Sequence, residues 1–292
     1  MPRTWPDAAQ VTASPVFDTL RSDGRPLIMG ILNVTPDSFS DGGQHVDLAG
    51  ACAHALRMVD EGADIVDIGG ESTRPGAQPV SPREELARVL PVIETLATRL
   101  PERIALSIDT RRPEVAAAAL AAGARIVNDV SGAREPGMLE TVARHRAGIV
   151  LMHMQGTPAT MQQAPRYDDV VGEIRDYLCE RAAAAERHGI RANAIALDPG
   201  IGFGKTREHN LRLLGALATF VASGYAVLLG TSRKRFMGAI CDETEPRELI
   251  GATCATTALG VQAGVRLFRV HDVKPNRQAA DVAWACRAFG AA

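Results

Sequence analysis

No apolar run in this chain approaches the ~20 residues that a membrane-spanning helix needs. The stretch from Met1 to Pro15 has polar and proline residues where a secretion signal needs an apolar block. A cytoplasmic enzyme is therefore the expectation. The five cysteines (Cys52, Cys179, Cys241, Cys254 and Cys286) are odd in number, far apart and form no CxxC pair. They read as free thiols on helices, not as a disulfide framework or a metal site. No two histidines have zinc-ligand spacing, and no Ser-His-Asp pattern is present. The phosphate-loop pattern GxxxxGK[ST] is also missing, since Gly202-Phe203-Gly204-Lys205 carries only a fragment of it. With a net charge of −2, the chain is a poor candidate for non-specific binding to nucleic acid or anionic membranes.

What is present is an ordinary soluble composition, 46% hydrophobic and 23% charged over 292 residues, enough to bury a large core. Eight short apolar runs recur along it: Leu27–Asn33, Asp64–Gly69, Ile104–Asp109, Arg125–Val130, Gly148–His153, Ala194–Asp198, Ala226–Thr231 and Val265–Val270. They are rich in Val, Ile and Leu and barely alternate with polar residues, as expected for parallel strands buried on both faces. Alanine-rich amphipathic stretches lie between them, including Asp47–Glu61, Pro82–Arg99, Pro113–Ala122, Asp168–His188, Glu208–Ser223 and Pro246–Ala263. Pro82, Pro113 and Pro246 stand where a first helical turn tolerates proline. Gly62, Gly123, Gly189, Gly224 and Gly264 follow helices as caps.

Eight strand–helix units in series imply an α/β fold, a single-domain (β/α)8 TIM barrel. A doubly wound sheet is the alternative, but it usually has fewer strands and a glycine-rich loop after the first. Residues 1–25 read as an N-terminal extension, a cap or hairpin over the barrel bottom or a partly disordered segment, and residues 26–292 as one barrel domain.

Each strand stays apolar until its C-terminal end. Asn33 ends the first; the second holds Asp67. Asp109, Asn128-Asp129, His153 and Asp198 end the third to sixth. Ser232-Arg233-Lys234 follows the seventh, and Arg269, His271 and Asp272 belong to the eighth. In a barrel these ends converge on one rim, where barrel enzymes place their active sites. Any one of them can be a turn residue; so many on one rim cannot all be. Asp109, Asn128 and Asp198 offer acceptors suited to a planar heterocycle with several N–H donors, such as a 2-amino-4-oxo pterin. Lys234, Arg269 and His271 suit an anionic leaving group. Asn33 adds a neutral oxygen for a magnesium-bound pyrophosphate. Asp67 fits a buried structural carboxylate and a site residue equally well, whereas His153 reads as a satisfied buried histidine. Two loops rich in Gly, Pro and small polar residues, 35–43 and 69–76, read as rim loops able to close over a site.

The stretches Gly30–Gly43, Asp67–Gly76, Ser107–Thr110, Asn128-Asp129, Leu151–Gly156, Leu197–Lys205, Thr231–Lys234 and Arg269–Asp272 together resemble the dihydropteroate synthases, in family order over residues 27 to 285. The resemblance implies condensation of 6-hydroxymethyl-7,8-dihydropterin pyrophosphate with p-aminobenzoate, with magnesium, giving 7,8-dihydropteroate and pyrophosphate in folate biosynthesis. By that resemblance Asp109, Asn128 and Asp198 hold the pterin, Thr73 contacts it, and Lys234 lies between the ring and the reacting centre. Asn33 helps to bind Mg2+, and Arg269 and His271 bind pyrophosphate. Phe39, Pro75, Phe203, Lys234 and Arg235 line the p-aminobenzoate pocket, which is also where sulfonamides act; the family varies at Arg235. The resemblance further implies a homodimer. Two other readings stay open at this point: the pterin-binding barrel of a corrinoid-linked methyltransferase, and a non-catalytic pterin-binding paralogue.

Overall fold

A computed structural model describes residues 17, 20, 24–35, 48–72, 80–158 and 160–290. Its eight parallel strands close into a barrel in sequence order. They are β1 (Leu27–Asn33), β2 (Ile65–Gly69), β3 (Ala105–Asp109), β4 (Ile126–Asp129), β5 (Gly148–Met152), β6 (Ile195–Asp198), β7 (Ala226–Leu229) and β8 (Leu267–Val270). Each pairs with its successor, and β8 closes on β1. All eight apolar runs are strands, within a residue or two at each end.

The helices outside are α1 (Leu48–Asp60), α2 (Pro82–Arg99), α3 (Pro113–Ala121), α4 (Met138–His145), α5 (Val170–Arg187), α6 (Arg207–Gly215), α7 (Leu217–Val221), α8 (Arg235–Cys241), α9 (Ile250–Ala263) and α10 (Val273–Gly290). Local chemistry sets their ends. Ser81 Oγ accepts from Glu84 N at the start of α2, with Pro82 in the first turn. Asp169 caps α5 through Val171 N. The five glycines expected as C-caps all adopt left-handed φ, from 87° to 117°.

Two expected helices differ. Glu208–Ser223 is split into α6 and α7 at Ala216, whose φ/ψ of −111°/18° leaves the helical region. Pro246 opens only a 3-10 turn, Pro246–Glu248, before α9 begins at Ile250. The free N–H that proline lacks was not needed there, but the turn's i+3 bonds do not propagate into an α ladder.

Strand alternation sorts side chains into two cores. One parity, for example Ile28, Leu32, Val66, Ile68, Ile108 and Val127, packs outward against the helices. The other fills the barrel bottom: Leu27, Met29, Ile65, Ala105, Ile126, Val150, Ala196, Leu228 and Leu267. Phe17, 1% exposed, joins this inner cluster from below together with Leu20. Phe17 and Leu20 thus pack on the lower end of the inner cluster. Burying such side chains contributes about 1.5–3 kcal/mol each, and the packed lower half leaves only the upper rim for chemistry. Among the described residues, no helix is long and apolar enough to cross a membrane.

Candidate active site

The inward parity that is apolar at the bottom turns polar at the top. In β2 it runs Ile65, Asp67, Gly69; in β3 Ala105, Ser107, Asp109; in β4 Ile126, Asn128. Asp109 stands beside Asn128 in register, and Asn33 stands beside Gly69. A side chain on Gly69 would begin 3.7 Å from Asp109 Oδ2 and 3.9 Å from Asn33 Oδ1, so this glycine lets the two approach one space. On the far side Met152 pairs with Asp198. Gly230 continues the parity of β7, and a Cβ there would lie 3.9 Å from both Asp198 Oδ2 and Arg269 Cβ. Asp109, Asn128, Asp198 and Arg269 therefore face one barrel mouth, and Lys234 lies close enough to Asp198 and Arg269 to interact with both.

Arg269 connects the groups. Its NH2 group donates to Asp109 Oδ2 at 2.7 Å and its Nε to Asp67 Oδ2 at 2.6 Å. The same Asp67 oxygen accepts from Asn128 Nδ2 at 3.0 Å. Asp67 is fully buried and its other oxygen has no partner among the described residues. So Asp67 belongs to the floor of the site, where it orients both Arg269 and Asn128. Alternation had the signal for this: Asp67 lies two residues before Gly69 and two after Ile65, on the inward side. The cationic and acidic groups read as separate halves from the sequence are thus joined through Arg269.

Burial pushes the Asp109 carboxyl up to about 7; Arg269 opposes this, while Asp67, Glu85 and Asp129 push the same way. Burial also raises Asp198, against Lys234 and the Gly200 N–H that donates to its Oδ1 at 2.7 Å. Lys234 is lowered to about 8 by burial and by Arg269, with Asp198 opposing. Its ammonium donates to the Ile201 carbonyl and sits 4.7 Å from the centre of the Phe203 ring. Shifted carboxyls and a shifted lysine around one mouth make this cluster the candidate functional site.

His271 Nδ1 lies 3.0 Å from Ser232 Oγ, and its backbone N–H donates to the same oxygen. Arg233, held at a left-handed φ of 57°, makes two contacts to Asp272. That pair ties the end of β7 to the end of β8 and leaves Lys234 aimed inward. Phe203 packs on an apolar wall of Val130, Met152, Met154 and Met161, a wall the sequence reading did not pick out. Met152, not His153, is the inward residue at the end of β5. His153 turns toward Tyr167 and Tyr177 and is pushed down to about 3 by burial, Lys205 and Arg134, a half-buried histidine held neutral, where the sequence suggested a buried one. Asp129 faces its own loop, accepting from Ser131 and Ala133 N. Arg235 is exposed at the first turn of α8 and is not drawn into the cluster. Phe39, Thr73 and Pro75 lie outside the described residues.

The profile of the pterin binding enzyme family matches residues 29–271. A dihydropteroate synthase of Synechocystis sp. is 48% identical over 271 residues, covering 92% of this chain and 93% of the relative. The chain belongs to the dihydropteroate synthase family. Among solved structures, the Yersinia pestis dihydropteroate synthase in a sulfonamide drug complex superposes with a TM-score of 0.85 at 43% identity, covering 90% of this chain and 95% of that one. The Xanthomonas albilineans dihydropteroate synthase in complex with 7,8-dihydropteroate superposes with a TM-score of 0.81 at 46% identity, covering 90% and 94%. In this chain the acceptors group at the rim beside cations from β8 and the β7 loop. The corrinoid-linked reading has no use for that cationic set.

Proposed function

We propose that this chain condenses 6-hydroxymethyl-7,8-dihydropterin pyrophosphate with p-aminobenzoate, releasing pyrophosphate and forming 7,8-dihydropteroate for folate synthesis. The observation that carries the reading is the Asp67–Arg269–Asp109 link beside Asn128 and Asp198, together with the family membership. The pterin ring takes its hydrogen bonds from Asp109, Asn128 and Asp198, and Thr73 contributes from the second rim loop. Arg269 keeps N–H donors beyond those given to Asp67 and Asp109, and with His271 it receives the diphosphate.

The bond that breaks joins oxygen to an exocyclic CH2 on an electron-rich ring, so positive charge develops on the pterin as the diphosphate leaves. Asp109 and Asp198 stabilise that charge and Arg269 with His271 the departing anion, a fixed electrostatic arrangement. Lys234, held by the Ile201 carbonyl and the Phe203 ring, stands between the two and balances Asp198. The p-aminobenzoate amine is a neutral nucleophile at pH 7, which is consistent with a site lacking a strong base. Phe203 forms one wall of its pocket, with Phe39 and Pro75 from the rim loops and Arg235 at its edge. A sulfonamide would compete there.

Among the described residues no group of three or more His, Cys, Asp or Glu side chains forms a cage for a metal. Mg2+ usually enters on phosphates with one or two protein oxygens. The half-buried Asn33 carboxamide beside Asp109 fits that role, and the ion's contribution is neutralisation of diphosphate charge. In the same reading the enzyme works in the cytoplasm as a homodimer. Leu259 and Val282, exposed on the adjoining α9 and α10, support a subunit contact on that side, which sedimentation of the purified protein tests.

A coupled assay of pyrophosphate release, with and without p-aminobenzoate, tests the function. Release that needs p-aminobenzoate supports the condensation. Pterin binding with no release supports the non-catalytic paralogue and overturns the proposal.

A further inference from the structure

The stretch Gly202-Phe203-Gly204-Lys205 is no phosphate loop, and the site as described leaves its lysine without a task. After β6 the backbone passes through left-handed φ at Gly200 (66°), Gly202 (83°) and Gly204 (61°), so successive carbonyls point in different directions. Each one is taken. The Gly200 carbonyl accepts from Phe203 N at 3.0 Å, and that of Ile201 from Lys234 Nζ. Gln162 Nε2 donates to the Gly202 carbonyl at 2.9 Å, Lys205 Nζ to that of Phe203 at 2.8 Å, and Tyr167 Oη to that of Gly204 at 2.8 Å.

Lys205 stands apart in this set. Gln162 and Tyr167 show that a neutral donor suffices to hold a carbonyl, yet Lys205 brings an ammonium into a place where it is 3% exposed. No carboxylate lies in ion-pair distance of it among the described residues. Its Nζ instead meets the His153 carbonyl at 3.3 Å and His153 Nδ1 at 3.1 Å. Burial lowers this lysine well below its ordinary range, against the pull of Asp198. A lysine kept inside with no carboxylate in ion-pair distance among the described residues, and held by two backbone carbonyls, calls for a role. Its contacts show which parts it joins: the end of β5, through His153, and the loop after β6. That loop presents the Phe203 ring and the Ile201 carbonyl to the Lys234 ammonium.

We propose that Lys205 is a positioning residue for the reaction. It locks the 200–204 loop to the end of β5, so that Ile201 and Phe203 hold Lys234 between the two substrates. This rests on the dihydropteroate synthase reading of the same site.

The test is a double-mutant cycle on the full-length enzyme, assayed with pterin pyrophosphate, p-aminobenzoate and magnesium. Lys205→Met keeps the apolar stem and removes the ammonium. The expected variant has wild-type circular dichroism and at least about tenfold lower kcat/KM, the scale of a misplaced catalytic group. In a Phe203→Ala background the same substitution should cost measurably less than in the wild type, because one of the two contacts through which Lys205 acts on Lys234 is already gone. Wild-type kinetics in Lys205→Met, or an undiminished loss in both backgrounds, overturns the proposal; a purely structural lysine gives one of these. If Lys205→Met does not fold, Gln162→Ala frees the adjacent Gly202 carbonyl from the exposed side. It should show the same non-additive loss, and an additive loss or none overturns the proposal. The wild-type enzyme separates the two readings. Without pyrophosphate release from wild type the functional assignment fails, whereas an active wild type matched by Lys205→Met removes only the positioning role.

Discussion

Replacing Asp67 by alanine removes a single oxygen on which two site residues depend. Asp67 Oδ2 accepts from Arg269 Nε at 2.6 Å and from Asn128 Nδ2 at 3.0 Å. Both bonds end on a fully buried carboxylate and are charge-assisted, worth about 1.5–3 kcal/mol each. Asp67→Ala should therefore cost about 3–6 kcal/mol of stability, in line with the ~3–5 kcal/mol seen when one partner of a buried ion pair is removed. Arg269 keeps Asp109, which holds the loss toward the lower end. Asp67→Asn is the control. Its carboxamide oxygen can occupy the position of Oδ2 and keep both hydrogen bonds, leaving the N–H2 where Oδ1 has no partner among the described residues. Only the charge is lost, so the cost falls to about 1–1.5 kcal/mol. Equilibrium guanidinium unfolding measures both values, and pyrophosphate release measures the consequence for Arg269 and Asn128. At least about tenfold lower kcat/KM is expected for Asp67→Ala, with a smaller loss for Asp67→Asn. Should Asp67→Ala lose less than about 1 kcal/mol and keep wild-type kinetics, the argument that this carboxylate orients the site is wrong.

Asp109→Asn should lower turnover of the pterin pyrophosphate by at least about tenfold, or ~1.4 kcal/mol of transition-state stabilisation; unchanged steady-state kinetics would remove Asp109 from the site. Arg269→Ala should weaken binding of the pterin pyrophosphate more than that of the free pterin alcohol, measured by calorimetry, and equal losses would place Arg269 on the ring instead of the leaving group. The pH profile of kcat/KM should be bell-shaped. Asp109 becomes the required carboxylate as pH rises through about 7, and Lys234 loses its ammonium as pH rises through about 8. Activity therefore climbs through the first value and falls through the second, and Asp109→Asn should abolish the acid limb; a profile flat from pH 6 to 9 contradicts this.

The barrel was legible because eight short Val-, Ile- and Leu-rich runs alternate with amphipathic helical stretches and carry polar residues at or near their C-terminal ends, which leaves few other architectures. Asp109, Asn128 and Asp198 stood out for the same reason, as acceptors at strand ends. Asp67 was harder to place. A lone acid inside a strand has two readings, and only the inward parity shared with Ile65 and Gly69 resolves them. Met152 and His153 show the reverse case. The histidine draws the eye, but the methionine one residue earlier has the inward parity and meets Asp198 in register. The Arg269 bridge across to Asp67 could not be read at all. It joins β8 to β2 and β3, whose strands lie far apart in sequence and meet only when the barrel closes through β1. The break at Ala216 and the short turn at Pro246 were hidden by helix-forming residues on either side, which carry the same periodicity through a local change of φ/ψ.

The central claim is that acceptors from β3, β4 and β6 grip the pterin ring while Arg269 and His271 face its diphosphate. A crystal structure of the protein with pterin pyrophosphate and magnesium tests this most directly. Ring nitrogens are expected within hydrogen-bond distance of Asp109, Asn128 and Asp198, with phosphate oxygens on the side of Asn33, Arg269 and His271. A ring bound away from those three side chains, or a diphosphate pointing away from β8, would contradict it.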